Sequence, residues 1–175
     1  HLGPEVIDLP FGLEIRFGPE LYLVYWLVVV PIGVTGVANA MNMSAGYNGL
    51  ESGQIAIVSG SLLAIGTFRS IPDFATLIFA AIFGSSLGLF VYNRYPAKVF
   101  IGDIGTLGLG AAIAAGAILG HIEFYGLLAI TPAFYEASAT LYHGVRGTNP
   151  ARKEACRNPV IQQDGTLRPP AGAER

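Results

Sequence analysis

Leu21-Tyr-Leu-Val-Tyr-Trp-Leu-Val-Val-Val-Pro-Ile-Gly-Val-Thr-Gly-Val-Ala-Asn-Ala-Met-Asn-Met43 contains no charged residue. A helix that crosses the hydrocarbon layer of a bilayer needs about 20 mainly apolar residues, so this stretch reads as a membrane span. Four further charge-free or nearly charge-free runs follow at 55–68, 74–92, 104–120 and 124–142, the first of them short. The whole chain agrees, because its 175 residues are 52% hydrophobic and only 13% charged. A mean hydropathy of +0.52 is too apolar for a soluble globule of this size. The expected fold class is all-α, a polytopic transmembrane helical bundle of about five helices.

Charge placement tests that topology independently. Five crossings put 44–54, 93–103 and 143–175 on one face, and 1–20, 69–73 and 121–123 on the other. Arg94, Lys98, Arg146, Arg152, Lys153, Arg157, Arg168 and Arg175 fall on the first face, against Arg16 and Arg69 on the second. By the positive-inside rule the first face is cytoplasmic. The other carries Glu5, Asp8, Glu14, Glu20, Asp73 and Glu123.

The net charge of −2 averages two unlike surfaces and offers nothing for nucleic acid. Cys156 is the only cysteine, which excludes a disulfide within the chain and a zinc site built on cysteines. There is no signal-peptide pattern, and the first residue is His1, as expected of a chain cut from a longer protein.

Residues 1–20, with Pro4, Pro10 and Pro19 among glycines, read as an outer loop in which 13–17 alternate like a short strand. Pro31 and Gly33 interrupt the first span and are expected to bend it. Gly84 with Gly88, and Gly116 with Gly120, are small-xxx-small pairs that let helices approach closely in lipid. Gly105, Gly108 and Gly110 read the same way, whereas Gly102 reads as a hinge. From Gly144 the composition turns polar, as in a solvated tail or part of a loop.

Two polar runs lie on the cytoplasmic face. The first is Asn39-Ala-Met-Asn-Met-Ser-Ala-Gly-Tyr-Asn-Gly-Leu-Glu51, where carboxamides and glycines sit between two helices with no packing reason to be there. Such a run can cradle a nucleotide, a metal and phosphates. The second is Asn93-Arg-Tyr-Pro-Ala-Lys-Val-Phe-Ile-Gly-Asp-Ile-Gly-Thr106. Asp103 stands directly before a helix, where it would serve as a cap favoured by the macrodipole. It also supplies, with the Asn42 amide oxygen, the hard-oxygen part of a Mg2+ site completed by substrate phosphates and water. Phe100 suits either an interfacial anchor or a ring stacked on a flat base. Lys98 and Arg94 can pair with phosphate but are expected on this face in any case.

Together, Asn39 to Gln54 and Tyr95-Pro-Ala-Lys-Val-Phe-Ile-Gly-Asp103 resemble the polyprenyl-phosphate N-acetylhexosamine-1-phosphate transferases, glycosyltransferase family 4. The Asn-Gly-Leu-Glu-x-Gly-Gln ending is similar to the archaeal and eukaryotic branch that uses UDP-N-acetylglucosamine and dolichyl phosphate; bacterial members more often carry aspartate at the position of Asn48. The resemblance covers nearly all of 20–142 and, more loosely, 164–170.

It implies transfer of N-acetylglucosamine 1-phosphate to a polyprenyl or dolichyl phosphate, with release of UMP, as the first step of lipid-linked glycan assembly for N-glycosylation. It implies Mg2+, with Mn2+ as a substitute, held by Asp103 and Asn42 as the catalytic and metal residues. Gly46 and Asn48 match nucleotide contacts, Phe100 the ring under uracil, and Asn39 a neighbour of the pyrophosphate. The implied setting is a multi-pass protein of the cell membrane, or of the endoplasmic reticulum in a eukaryote, with its site facing the cytoplasm. Its partners would be the nucleotide sugar, the lipid phosphate and membrane lipid, and a homodimer is allowed. On this reading 1–20 is an extracytoplasmic loop, 21–142 the C-terminal half of the catalytic bundle, and 143–175 part of a cytoplasmic loop.

The chain departs from the family in having no adjacent aspartate pair and no Arg-His-Arg cluster. It is therefore expected to be inactive alone, as a C-terminal fragment. Glu136 lies within the last span and is expected to face the bundle, a wet groove or a further helix. His121 and His143 read as interfacial anchors. Other readings are a bacterial-type undecaprenyl-phosphate sugar-phosphate transferase, a small transporter or channel subunit, or a non-catalytic membrane partner.

Overall fold

A computed structural model describes residues 6–8, 14–16, 18–146, 160–161, 163 and 167–168. Most of the tail expected at 143–175, including all of the 164–170 resemblance but 167–168, and much of 1–20 fall outside these. Two antiparallel ribbons flank the helices, β1 (Val6–Asp8) with β2 (Glu14–Arg16), and β3 (Val160–Ile161) with β4 (Leu167–Arg168). The first confirms the extended segment expected near residues 13–17.

The first span begins as α1 (Pro19–Val24), passes through a π-helical turn at Tyr25–Val29 and continues as α2 (Val30–Met43). Pro31 has no N–H for the ladder, and its ring crowds the carbonyl one turn back. The chain accommodates this by widening the turn before the proline, and the helix runs on through Gly33 without a break. Next come α3 (Leu50–Arg69), α4 (Asp73–Asn93) and α5 (Gly102–Leu119). The run expected as a fifth span is divided at Ile130 into α6 (Glu123–Ala129) and α7 (Thr131–Arg146).

Among the described residues three helices are long and apolar enough to cross a membrane: Leu21–Met43, Asp73–Asn93 and Gly102–Leu119. α3 is also long, but its first turn carries Glu51, Ser52 and Gln54, and its other residues pack along α4. The protein is thus a helical membrane bundle, made of an α3/α4 pair and an α2/α5 pair joined where α4 meets α5, with α7 against α2. Val37, Met41, Ile55, Leu62, Phe79, Ile82, Ile113 and Ile130 form its centre. Leu23, Leu27, Ile32 and Leu77 face outward, as lipid-facing side chains do.

Glycine spacing predicted the helix contacts unevenly. A Cβ on Gly110 would lie 2.8 Å from Ala38 Cα and 3.2 Å from Val37 O, so this glycine sets the α2/α5 crossing. Gly116 lies against the Phe79 ring, and Gly120 against Ala75 and Ile71. Gly84, Gly88 and Gly108, by contrast, have nothing within 4 Å of a Cβ position and are not contact glycines within this bundle. Spacing alone reveals small residues at helical period but not which face meets a neighbour.

Candidate active site

The amide run and the second polar loop meet at one end of the bundle, where α2 finishes and α5 begins. Geometry explains why. Asn42 is in the last turn of α2 and Thr106 in the second turn of α5. The buried Thr106 hydroxyl donates to Asn42 Oδ1 at 2.6 Å. Thr106 follows Asp103 by three residues, roughly 4.5 Å along the helix axis, so Asp103 stands one turn from this bond. Asp103 is exposed in the first turn of α5, opened by Gly102 at φ 68°.

Between α2 and α3 the loop folds back on itself. Gly46, at φ 129°, donates its N–H to Glu51 Oε1, and Glu51 is only 4% exposed. The Ser44 hydroxyl lies 2.9 Å from Met41 O and 3.1 Å from Gln54 Oε1. Asn48 is left exposed at the loop tip. Gly49 follows at φ 81°, and a Cβ there would meet Arg94 Cα and the Phe90 ring, each at 3.2 Å. A side chain would be strained by both backbone and space.

The second loop spans 94–101 and contains a cis Tyr95–Pro96 peptide. Phe100 is 57% exposed, with its ring free to receive a planar group. Arg94 and Lys98 are exposed as well. The two loops are tied by Asn93, which is wholly buried. Its Oδ1 accepts from the Gly49 N–H at 3.0 Å and the Ser52 hydroxyl at 2.8 Å, while its Nδ2 donates to Val99 O at 2.9 Å.

The structure thus brings Asn42 and Asp103 to adjoining helix ends, and Asn48 and Phe100 to loops joined from beneath. Asn39 is one turn earlier on α2, exposed, with Nδ2 donating to Thr35 O at 2.7 Å. Glu136 is exposed on α7 and away from the core, and His121 sits at φ 54° in the link before α6. Sequence reasoning assigned no role to Asn93 or Thr106. The one available signal was an amide or hydroxyl at the polar end of an otherwise apolar helix, which also describes many solvated side chains.

As a cation site, Asn42 Oδ1 and the Asp103 carboxylate give two hard oxygen donors. Among the described residues no cluster of three or more His, Cys, Asp or Glu exists. This donor set fits an ion that keeps waters and takes phosphate oxygens, as Mg2+ does, and not a cage made entirely of protein. Separately, an apolar cavity of about 210 Å³ lies between α2, α5 and α6, lined by Val30, Val37, Ile113, Ala117, Leu127 and Ile130. None of the polar site residues lines it.

The model of the family described as glycosyl transferase family 4 matches residues 5–121, both polar loops included. The chain belongs to that family. Family 4 membership and three apolar helices together make it a membrane protein. Its relatives include a phospho-N-acetylmuramoyl-pentapeptide-transferase of Lactiplantibacillus plantarum, 41% identical over 69% of this chain and 37% of that protein. Another of the same description, from Oceanobacillus iheyensis, is 42% identical over 67% of this chain and 35% of the relative. A protein of Saccharolobus solfataricus, provisionally described as a UDP-N-acetylglucosamine–dolichyl-phosphate N-acetylglucosaminephosphotransferase, is 37% identical over 74% of this chain and 38% of its own length. The chain spans little more than a third of each.

Proposed function

We propose that this family 4 chain carries the nucleotide and metal half of a site that moves a sugar 1-phosphate onto a polyprenyl phosphate. The observation that carries the reading is the convergence of two polar loops at one end of an apolar bundle, pinned by the 2.6 Å bond between Thr106 and Asn42. In the proposed reaction an oxygen of the lipid phosphate bonds to the β-phosphorus of a UDP-sugar. The bond from that phosphorus to the bridging oxygen breaks, and UMP leaves with the bridging oxygen.

A bound Mg2+ would screen the pyrophosphate and stabilise charge as it develops. The chain's own contribution is positioning. Asn42 and Asp103 would hold the ion beside the pyrophosphate, with Asn39 one turn away. Gly46 and Asn48 would contact the nucleotide, and Phe100 would stack beneath uracil. The lipid chain would lie along the apolar helices, and the positive-inside distribution of charge supports a cytoplasmic site.

For the sugar, we favour UDP-N-acetylglucosamine with a dolichyl-type lipid, because Asn48, Glu51 and Gln54 match that branch and two of the three shape the loop directly. The second reading is an N-acetylmuramoyl-pentapeptide phosphate donor with undecaprenyl phosphate. It draws on the 41% and 42% identities to the bacterial relatives.

UMP titrated into the purified chain in lipid nanodiscs, with and without Mg2+, tests the proposal. Mg2+-dependent binding that Asp103→Asn abolishes is expected. Binding indifferent to both Mg2+ and Asp103 would sink it. The chain alone is expected to release no UMP from UDP-N-acetylglucosamine, whereas assembly with the remaining two thirds of a relative's length would restore turnover.

A further inference from the structure

Asn93 is the last residue of α4, and its carboxamide is wholly buried between two exposed loops. Its partners fix which way round the amide sits. Gly49 offers a backbone N–H and Val99 a backbone carbonyl, so the oxygen must face the first and the nitrogen the second. Ser52 adds a second donor to the same oxygen. The residue before Gly49 is Asn48 and the residue after Val99 is Phe100. One buried side chain therefore holds, at one remove, both exposed groups assigned to the nucleotide.

No apolar residue can make these bonds, and a hydroxyl is too short to reach both loops. Removing the amide leaves the buried Gly49 N–H and Ser52 hydroxyl without their acceptor and the partly buried Val99 carbonyl without its donor, which is costly enough to displace the loops that carry them. Close packing reinforces the tie, because the Gly49 Cβ position faces Arg94 Cα at 3.2 Å and that of Gly53 faces the Phe90 ring at 3.3 Å.

We propose that Asn93 is a positioning residue that makes the 44–49 and 94–101 loops one unit, so that a uridine nucleotide meets Asn48 and Phe100 at a set separation and ordering of either loop orders the other. This rests on the nucleotide site proposed above. The residue is wholly buried with its amide bonded on both sides, and it acts through the two loops.

The test uses the whole chain in nanodiscs, with UMP and Mg2+ as probe and hydrogen exchange read by mass spectrometry. Asn93→Leu, of similar volume, removes all three bonds, and Asn93→Ser is the smaller alternative. Both should weaken UMP binding about tenfold or more, the worth of one or two buried hydrogen bonds. Exchange in both loops should quicken about tenfold while the middles of α3 and α4 stay as protected as before. Ser59→Ala, a buried hydroxyl bonded only within α3, should change neither reading.

Unchanged exchange in a folded Asn93 variant, or loosening of one loop alone, overturns the coupling. If the reference chain does not bind UMP but both loops loosen, the nucleotide reading falls and the coupling stands. If it binds UMP and the variants bind equally well, the reverse holds. Should neither variant fold, the reference protein decides: UMP must slow exchange in both loops together, and slowing in one alone refutes the proposal.

Discussion

Replacing Gly110 by alanine puts a methyl group where α2 and α5 cross. The added carbon would lie 2.8 Å from Ala38 Cα, 3.2 Å from Val37 O and 3.3 Å from Met41 Cβ. Two of these neighbours are backbone, which cannot swing aside as the end of a side chain does. Carbon atoms rest at about 3.5–4.0 Å, so the helices must separate by roughly 1 Å. Asn42 is one turn beyond Ala38 and Thr106 one turn before Gly110, so the separation reaches their bond almost undiminished. A contact now at 2.6 Å would open to about 3.5 Å, past hydrogen-bonding range. Overpacking of this kind costs about 1–3 kcal/mol. Thermal unfolding in nanodiscs together with Mg2+-dependent UMP binding is the assay, and both should deteriorate. Gly84→Ala and Gly88→Ala serve as the contrast, since nothing lies within 4 Å of either Cβ position. They should be neutral or stabilising by up to about 1 kcal/mol through helix propensity. A Gly110→Ala protein as stable as Gly84→Ala would refute the crossing deduced here.

Thr106→Val keeps the shape and removes the hydroxyl, so Mg2+-dependent UMP binding should weaken about fivefold to tenfold by isothermal titration, and Thr106→Ser should restore most of it. Phe100→Ala should lower UMP affinity by about 1–3 kcal/mol, the worth of one stacked base, while leaving thermal stability nearly unchanged because the ring is 57% exposed. Gly49→Ala combines a left-handed φ of 81° with a Cβ 3.2 Å from Arg94 Cα, and should cost about 1–3 kcal/mol in thermal unfolding; Gly108→Ala, in open space, should not.

The legible part of this fold was the part set by solvent. Runs such as Leu21 to Met43 announce themselves because charge is costly in a bilayer, and the three described helices that are long and apolar enough to cross lie close to three of the five expected spans. The break between α6 and α7 was legible but passed over: Pro132, the second residue of α7, has no N–H for the Leu128 carbonyl and its ring crowds that carbonyl, so the run could not continue as one helix. The π turn at Tyr25–Val29 was visible as an interruption at Pro31 but not as to its form. Among the site residues, the exposed ones, Asn48, Phe100 and Asp103, stood out because polar or aromatic groups at a helix end need a reason. Asn93 and Thr106 did not, because a buried bond is a relation between two distant positions: the partners are 41 and 44 residues apart in one case and 64 in the other. A single sequence shows residues but not pairs.

That distinction bears on what the nucleotide loop can tell about the sugar. Of the three residues that align the loop with the archaeal and eukaryotic branch, Glu51 is buried and accepts the Gly46 N–H, and Gln54 meets the Ser44 hydroxyl. Both act from inside, setting the curvature of the loop, and only Asn48 faces outward. In the proposed site a loop shaped this way would select how a nucleotide and its pyrophosphate are presented, features that every UDP-sugar shares. Discrimination between N-acetylglucosamine and a muramoyl pentapeptide would need groups that reach past the pyrophosphate, whereas Glu51 and Gln54 are engaged with Gly46 and Ser44 within the loop. The branch signature is therefore a signature of loop architecture. It supports one choice of sugar through the company such loops keep, and not through contact with the sugar itself.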